Sequence, residues 1–438
     1  MTYRGSSRPH AHILIATLAS ALAAGCALEV ETDPNGEWTD EVPLDQAQKE
    51  GYSPRVAVGA DGSAVVVWTD GNVALVSYAD GKWSGVTYIG VGGEPNVALD
   101  QQNDPIVVFT EGESASTVWA NRYVAGSGWL GAEQLDGGPT CTQYLCGASE
   151  PQIAMSPRGG ALAVWVSRGP EETTVWARPF DAATGWGTPE ALDTLVPSGG
   201  HRPRVGFDAA GNAVVVWVGT PTSTEDDAVR SARYEPGVGW TEASTIMSSS
   251  DNYVEVELAV SASGDAFAIV CTDWRLSAAR YDHGSGWGEP ELLMDELEGA
   301  MHCAVGADAA GGALVLWESK PQSIWSRTFS PGSGWEPKQP VEDSDGDAAN
   351  PSVAVAPDGR AVAVWEQDNG RFTTVHGNRY EPGSGWKDAI EIEAAFESGR
   401  SIEPQLGINE HGLSVAVWQR GIPSAARDNH SIWAGILP

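Results

Sequence analysis

A block of fifteen residues, PRVAVGADGSAVVVW at 54–68, returns along the whole chain with the same internal order. Clear copies start at Pro95, Pro151, Pro203, Pro351 and Pro404, and weaker ones at Val256 and Cys303. A second marker, a tryptophan that usually closes a glycine-containing turn, also occurs eight times: Trp38, Trp83, Trp129, Trp186, Trp240, Trp287, Trp335 and Trp386. Successive blocks begin 41 to 56 residues apart. A unit of that size cannot bury an apolar face alone, so repetition in phase requires neighbours to stack.

Each unit reads as four short strands. Strand a is the PxVAV stretch, and an Asp/Gly turn leads to strand b, AVVVW, whose unbroken apolar run predicts burial on both faces. A loop of variable length precedes strand c (TVWANRY at 117–123), and a turn such as EPGSG leads to strand d. Four strands per unit near 50 residues predict an all-β, eight-bladed β-propeller. Seven blades with an unpaired N-terminal strand is the alternative.

Two features say how the ring is built. The third residue after each block's start is small (Ala57, Ala98, Ala154, Gly206, Ala259, Gly306, Ala354, Gly407), between neighbours that are mostly large. Alternation then opposes small residues of one blade to large residues of the next at the crowded hub. The tryptophan marker also comes first, at Trp38, while the last unit stops after strand c. Residues 36–44 are therefore expected to supply strand d of the eighth blade and close the ring.

The N-terminus reads as an address. Arg4 and Arg8 precede ILIATLASALAAG, too short to span a bilayer and ending at Cys26. LAAGC at 22–26 resembles the lipobox of bacterial lipoproteins. The resemblance implies a signal peptide over 1–25, lipidated Cys26, a tether over 26–35, and one propeller domain over 36–438. It also implies outer-membrane anchoring, on the periplasmic or cell-surface side, with membrane contact through the lipid alone. Export permits disulfides. Cys141 and Cys146 share one insertion and are expected to pair; Cys271 and Cys303 then pair by elimination.

The formal charge of −34 argues against nucleic acid, whose phosphates need clustered Lys and Arg. No GxSxG, HExxH, CxxC or phosphate-cradling loop is present, and no catalytic residue or transition metal is assigned. Asp343, Asp345 and Asp347 alternate as calcium ligands do, but Ala348 stands where that loop needs glycine, so calcium is a weak expectation and no other cofactor is expected.

Variable b–c and d–a loops share one face, and function on rigid scaffolds concentrates in such loops. The residue before each strand a should ring the channel mouth there: Ser53, Glu94, Glu150, Arg202, Glu255, His302, Asn350 and Glu403. Eighteen of nineteen tryptophans follow the repeat and read as packing; Trp274, off the pattern, is the candidate ligand aromatic.

The Gly-Trp turn between strands c and d resembles a degenerate Asp-box of sialidase-like propellers. Eight blades with a Gly-Trp element are also similar in outline to quinoprotein dehydrogenases and to propeller lipoproteins of outer-membrane assembly. These resemblances imply architecture. The expected function is a monomeric, envelope-tethered, non-catalytic binding or scaffold propeller whose acidic loop face engages a protein or envelope component. A lectin-like propeller is the alternative, and a polysaccharide hydrolase or lyase a further one.

Overall fold

The computed structural model describes residues 28–29, 38–45, 50–112, 115–137, 146–195, 200–220, 227–249, 254–294, 299–343, 346–393, 400–421 and 430–438. Cys26, Cys141 and Asp345 lie outside these residues. The described residues contain strands and no helix, in eight antiparallel sheets. The strands a are Tyr52–Val58, Gly93–Leu99, Gly147–Met155, His201–Phe207, Val254–Val260, Ala300–Ala307, Asp347–Val355 and Ser401–Ile408. Each packs beside the next, and the last beside the first, which makes an eight-bladed β-propeller. In blade 7, strand b is Ala361–Asp368, strand c is Thr373–Glu381, and strand d is split into Gly385–Trp386 and Ile390–Glu391, both paired to c.

The ring closes as the marker order predicts. Val42–Pro43 pairs antiparallel with His430–Leu437, strand c of blade 8, at Val42↔Ala434 and Pro43↔Trp433. Backbone bonds Thr39 N–H to Ile436 and Leu44 N–H to Ile432, both 2.8 Å, extend the pairing. Leu28–Glu29 adds a two-residue strand at the outer edge of blade 1.

Eight apolar clusters fill the eight seams between blades. Val65 and Val67 of blade 1, for example, meet Val107 and Phe109 of blade 2. Val42 and Leu44 help to seal blade 8 against blade 1. The strand-b tryptophans Trp68, Trp165, Trp217, Trp317, Trp365 and Trp418 are fully buried. The small-to-large rule holds at the hub: a Cβ on Gly206 would sit 2.7 Å from Val260 Cγ2, one on Gly306 2.4 Å from Val355 Cγ2, and one on Gly407 2.9 Å from Val58 Cγ2. In each pair the glycine and the valine belong to successive blades.

The Gly-Trp turn is a corner that builds a stack. Gly383 and Gly385 take φ of 77° and 81°, a region that strains side-chain-bearing residues. The corner places Trp386 opposite Tyr380, edge-to-face with centroids 5.4 Å apart. The same stack forms at Tyr123–Trp129, Phe180–Trp186, Tyr234–Trp240, Tyr281–Trp287 and Phe329–Trp335.

Candidate functional site

Seven of the eight strands a carry a β-bulge, where one extra residue breaks register with strand b. One bulge residue in each is left-handed: Ser53 (φ 53°), Glu94 (50°), Glu150 (56°), Arg202 (57°), His302 (44°), Asn350 (51°) and Glu403 (54°). None is glycine, so each position costs roughly 1 kcal/mol or more unless its surroundings hold it. Proline follows in six of the seven, Cys303 in the other, and proline has no N–H to lose from the ladder. Blade 5 is the exception: Val256 replaces the proline, and pairing runs unbroken from Val254 to Val260.

The bulges turn their side chains toward the axis. All eight residues expected at the mouth line one central cavity of about 1150 Å³. A second tier, two residues further along each strand, lines it as well: Arg55, Asn96, Gln152, Arg204, Glu257, Ser352 and Gln405, with the apolar Ala304 in blade 6. Sequence reading missed this tier, although the period of two along a strand points to it.

Most mouth carboxylates are engaged in holding blades together. Glu94 accepts the backbone N–H of Glu150 at 2.9 Å, and Glu150 accepts that of Arg202. Two acids at the end of strand b do the same: Glu318 accepts from Asn350 N–H at 3.3 Å, and Glu366 from Glu403 N–H at 2.9 Å. Between blades 4 and 5 the link is ionic, with Arg202 on Glu255 at 2.9 Å and Arg204 bidentate on Glu257 at 2.9 and 2.7 Å. Between blades 5 and 6 it is covalent, Cys271–Cys303 with Cα atoms 6.2 Å apart, as expected by elimination. Cys146 is disulfide-bonded too.

The local charges separate these acids. Burial opposes ionisation of Glu150, but hydrogen bonds from Arg168 and from Arg202 N–H keep its carboxyl below the usual range. Burial and the neighbouring Glu257 raise Glu255 in spite of Arg202. His302 donates from Nδ1 to the Glu318 carboxylate, 2.9 Å away, and that bond raises the imidazole. Burial lowers His201, against the pull of Glu150.

Other candidates lie elsewhere. Trp274 is 55% exposed, outside the cavity lining, with Lys320 Nζ 4.9 Å from its ring centroid. Asp343 and Asp347 flank the start of strand a in blade 7. Ligand atoms of Glu255, Cys271 and Cys303 lie within 4.8 Å of one another, but the two sulfurs are bonded and offer no thiolate to a metal.

No protein-family model matches the chain, and no curated protein matches it in sequence. Solved structures share its fold. A ulvan lyase from a new family of polysaccharide lyases, bound to a GlcA(1-4)Rha3S saccharide, is 10% identical with a TM-score of 0.50, over 90% of this chain and 95% of that one. The β-propeller domain of the trilobed protease of Pyrococcus furiosus is 8% identical (TM-score 0.45; 78% and 94% covered). A fucose-binding lectin of Aleuria aurantia is 13% identical (TM-score 0.41; 68% and 99% covered). At such identities the likeness is one of fold.

Proposed function

We propose that this chain is a non-catalytic binding propeller of the bacterial envelope, tethered through Cys26, that takes a polar group of an envelope component into its channel mouth. The observation that carries the reading is the state of the mouth acids. Glu94, Glu150, Glu255 and Glu257 accept from amides or guanidinium groups of the same or adjoining blades, and Glu403 accepts from Gln419. Acids held this way give a rigid polar frame, whereas acid–base chemistry asks for a pair free to exchange protons with a substrate. A lectin reading calls for blade-phased tryptophans, and those of strand d are committed to their stacks; the exposed Trp274 lies off the repeat.

The test is a plug. Ser352 lines the cavity, and Ser352→Trp obstructs the channel without removing any inter-blade bond described above. Binding of the purified protein to solubilised envelope material should fall at least tenfold, with the thermal midpoint unchanged. Undiminished binding by a folded Ser352→Trp protein would place the function elsewhere.

A further inference from the structure

The charged groups of the channel do not all pair. Arg168, Arg202 and Arg204 are matched by Glu150, Glu255 and Glu257. Arg55 is not: among the described residues its one hydrogen bond runs from Nη1 to the carbonyl of Pro54, 2.8 Å away, and no carboxylate lies within ion-pair distance. It faces the cavity on the second tier. A guanidinium presents five N–H donors in a planar fork that fits a carboxylate, so one held by a single carbonyl leaves most of that capacity unused. Burial and the like charge of Arg204 work against its proton and outweigh the pull of Glu403 and Glu257, neither of which reaches it as an ion pair.

The same tier supplies neutral donors. Gln152 Oε1 accepts from Asn96 at 3.2 Å, leaving the Gln152 amide N–H groups to donate, and the Ser352 hydroxyl, which lines the cavity, has no partner among the described residues. Gln405 spends one N–H on Pro404 O at 3.1 Å and keeps the other.

Resting on the binding-propeller reading, we propose that the channel's second tier is a carboxylate site, with Arg55 as the charged anchor and Gln152, Ser352 and Gln405 as neutral donors for the rest of a polar ligand. A monoanion fits better than a dianion, because Glu403 and Glu257 both act on Arg55 electrostatically and would repel a second negative charge. The cavity of about 1150 Å³ leaves room for a ligand the size of one or two sugar rings.

Three probes of graded charge test this by calorimetry on the full chain: glucuronate, glucose and inorganic phosphate. Glucuronate should bind at least tenfold more tightly than glucose or phosphate. Arg55→Gln should lose that preference, Arg55→Lys should retain part of it, and Glu403→Gln should strengthen it severalfold. Because Arg55 makes no ion pair among the described residues, Arg55→Gln should unfold at the wild-type temperature or above. Equal affinity for glucuronate and glucose, or an unchanged preference in a folded Arg55→Gln protein, overturns the proposal. Should Ser352→Trp lose envelope binding while Arg55→Gln keeps it, the carboxylate site falls and the binding-propeller reading stands. Should both keep it, both fall.

Discussion

The carboxylate of Glu366, in blade 7, accepts the backbone N–H of Glu403, in blade 8, at 2.9 Å and also the Asn350 side-chain amide at 2.7 Å. Glu366 is 2% exposed, and burial raises its carboxyl above the ordinary range. A left-handed bulge turns an N–H out of the ladder, and a buried N–H must find an acceptor. The acid at the neighbouring blade's edge supplies it, so the bulge and the acid explain each other.

Truncating that acid should therefore show as lost stability. Glu366→Ala leaves two part-buried donors without their acceptor and should cost about 1–2 kcal/mol in urea unfolding. Glu366→Gln keeps one acceptor oxygen and should lose less than half as much. Equal stability of Glu366→Ala and wild type would remove the clasp role.

The hub packing makes a sharper demand. A methyl on Gly306 would meet Val355 Cγ2 at 2.4 Å, so Gly306→Ala should destabilise by about 1–3 kcal/mol. Val355→Ala opens the opposing space, and the double variant should recover much of the loss. Additive effects in this double-mutant cycle would mean that the two residues do not share a contact.

The irregular seam should depend on its covalent bond. Cys271 and Cys303 are 32 residues apart, a loop whose closure stabilises by roughly 3–4 kcal/mol on chain-entropy grounds. The Cys271→Ala, Cys303→Ala protein should melt well below wild type, and tryptic mass mapping should recover the bridged peptide only without reductant. An equal melting temperature would leave the seam to its apolar cluster alone.

Stability should also fall with rising pH on account of Glu393. Burial pushes its carboxyl up to about 7 from 4.5, although Arg420 and a hydrogen bond from Ser401 at 2.8 Å oppose the rise. The folded state holds this proton more tightly than the unfolded one. Its contribution is thus complete below about 4.5 and lost as pH rises through about 7. Glu393→Gln should flatten that decline and be the more stable protein at pH 8 by about 2–3 kcal/mol. His376 works in the opposite direction: burial lowers it to about 4 from 6.5, so its contribution is present above 6.5 and lost as pH falls through 4. A pH profile of Glu393→Gln parallel to wild type would show that this carboxyl ionises freely in the folded protein.

The ring, its closure and its hub were legible because repetition displays eight versions of one packing problem. Gly306 facing Val355 is a local consequence of alternation, and alternation is written in sequence. The rim was only half legible. The mouth residues stand beside a conspicuous proline, but the role of their acids depends on left-handed backbone that residue types alone do not announce. The fifteen-residue block also ends one residue too soon. The next position holds Glu318, Glu366, Gln419 and Cys271, and those side chains bridge to or brace the rim. Arg55 was hidden differently, since a guanidinium without an ion pair is visible only once the other channel guanidiniums, Arg168, Arg202 and Arg204, have been matched to theirs.

Glu366 holds the ring at the rim, and Arg55, one tier further in, is the proposed ligand anchor. The most direct measurement is glucuronate affinity by calorimetry for Glu366→Ala and Arg55→Gln, taken at a temperature where both are folded. Glu366→Ala should bind within about threefold of wild type despite its lower stability, while Arg55→Gln should bind at least tenfold more weakly at undiminished stability. The reverse pattern, with affinity lost in Glu366→Ala and kept in Arg55→Gln, would contradict these roles.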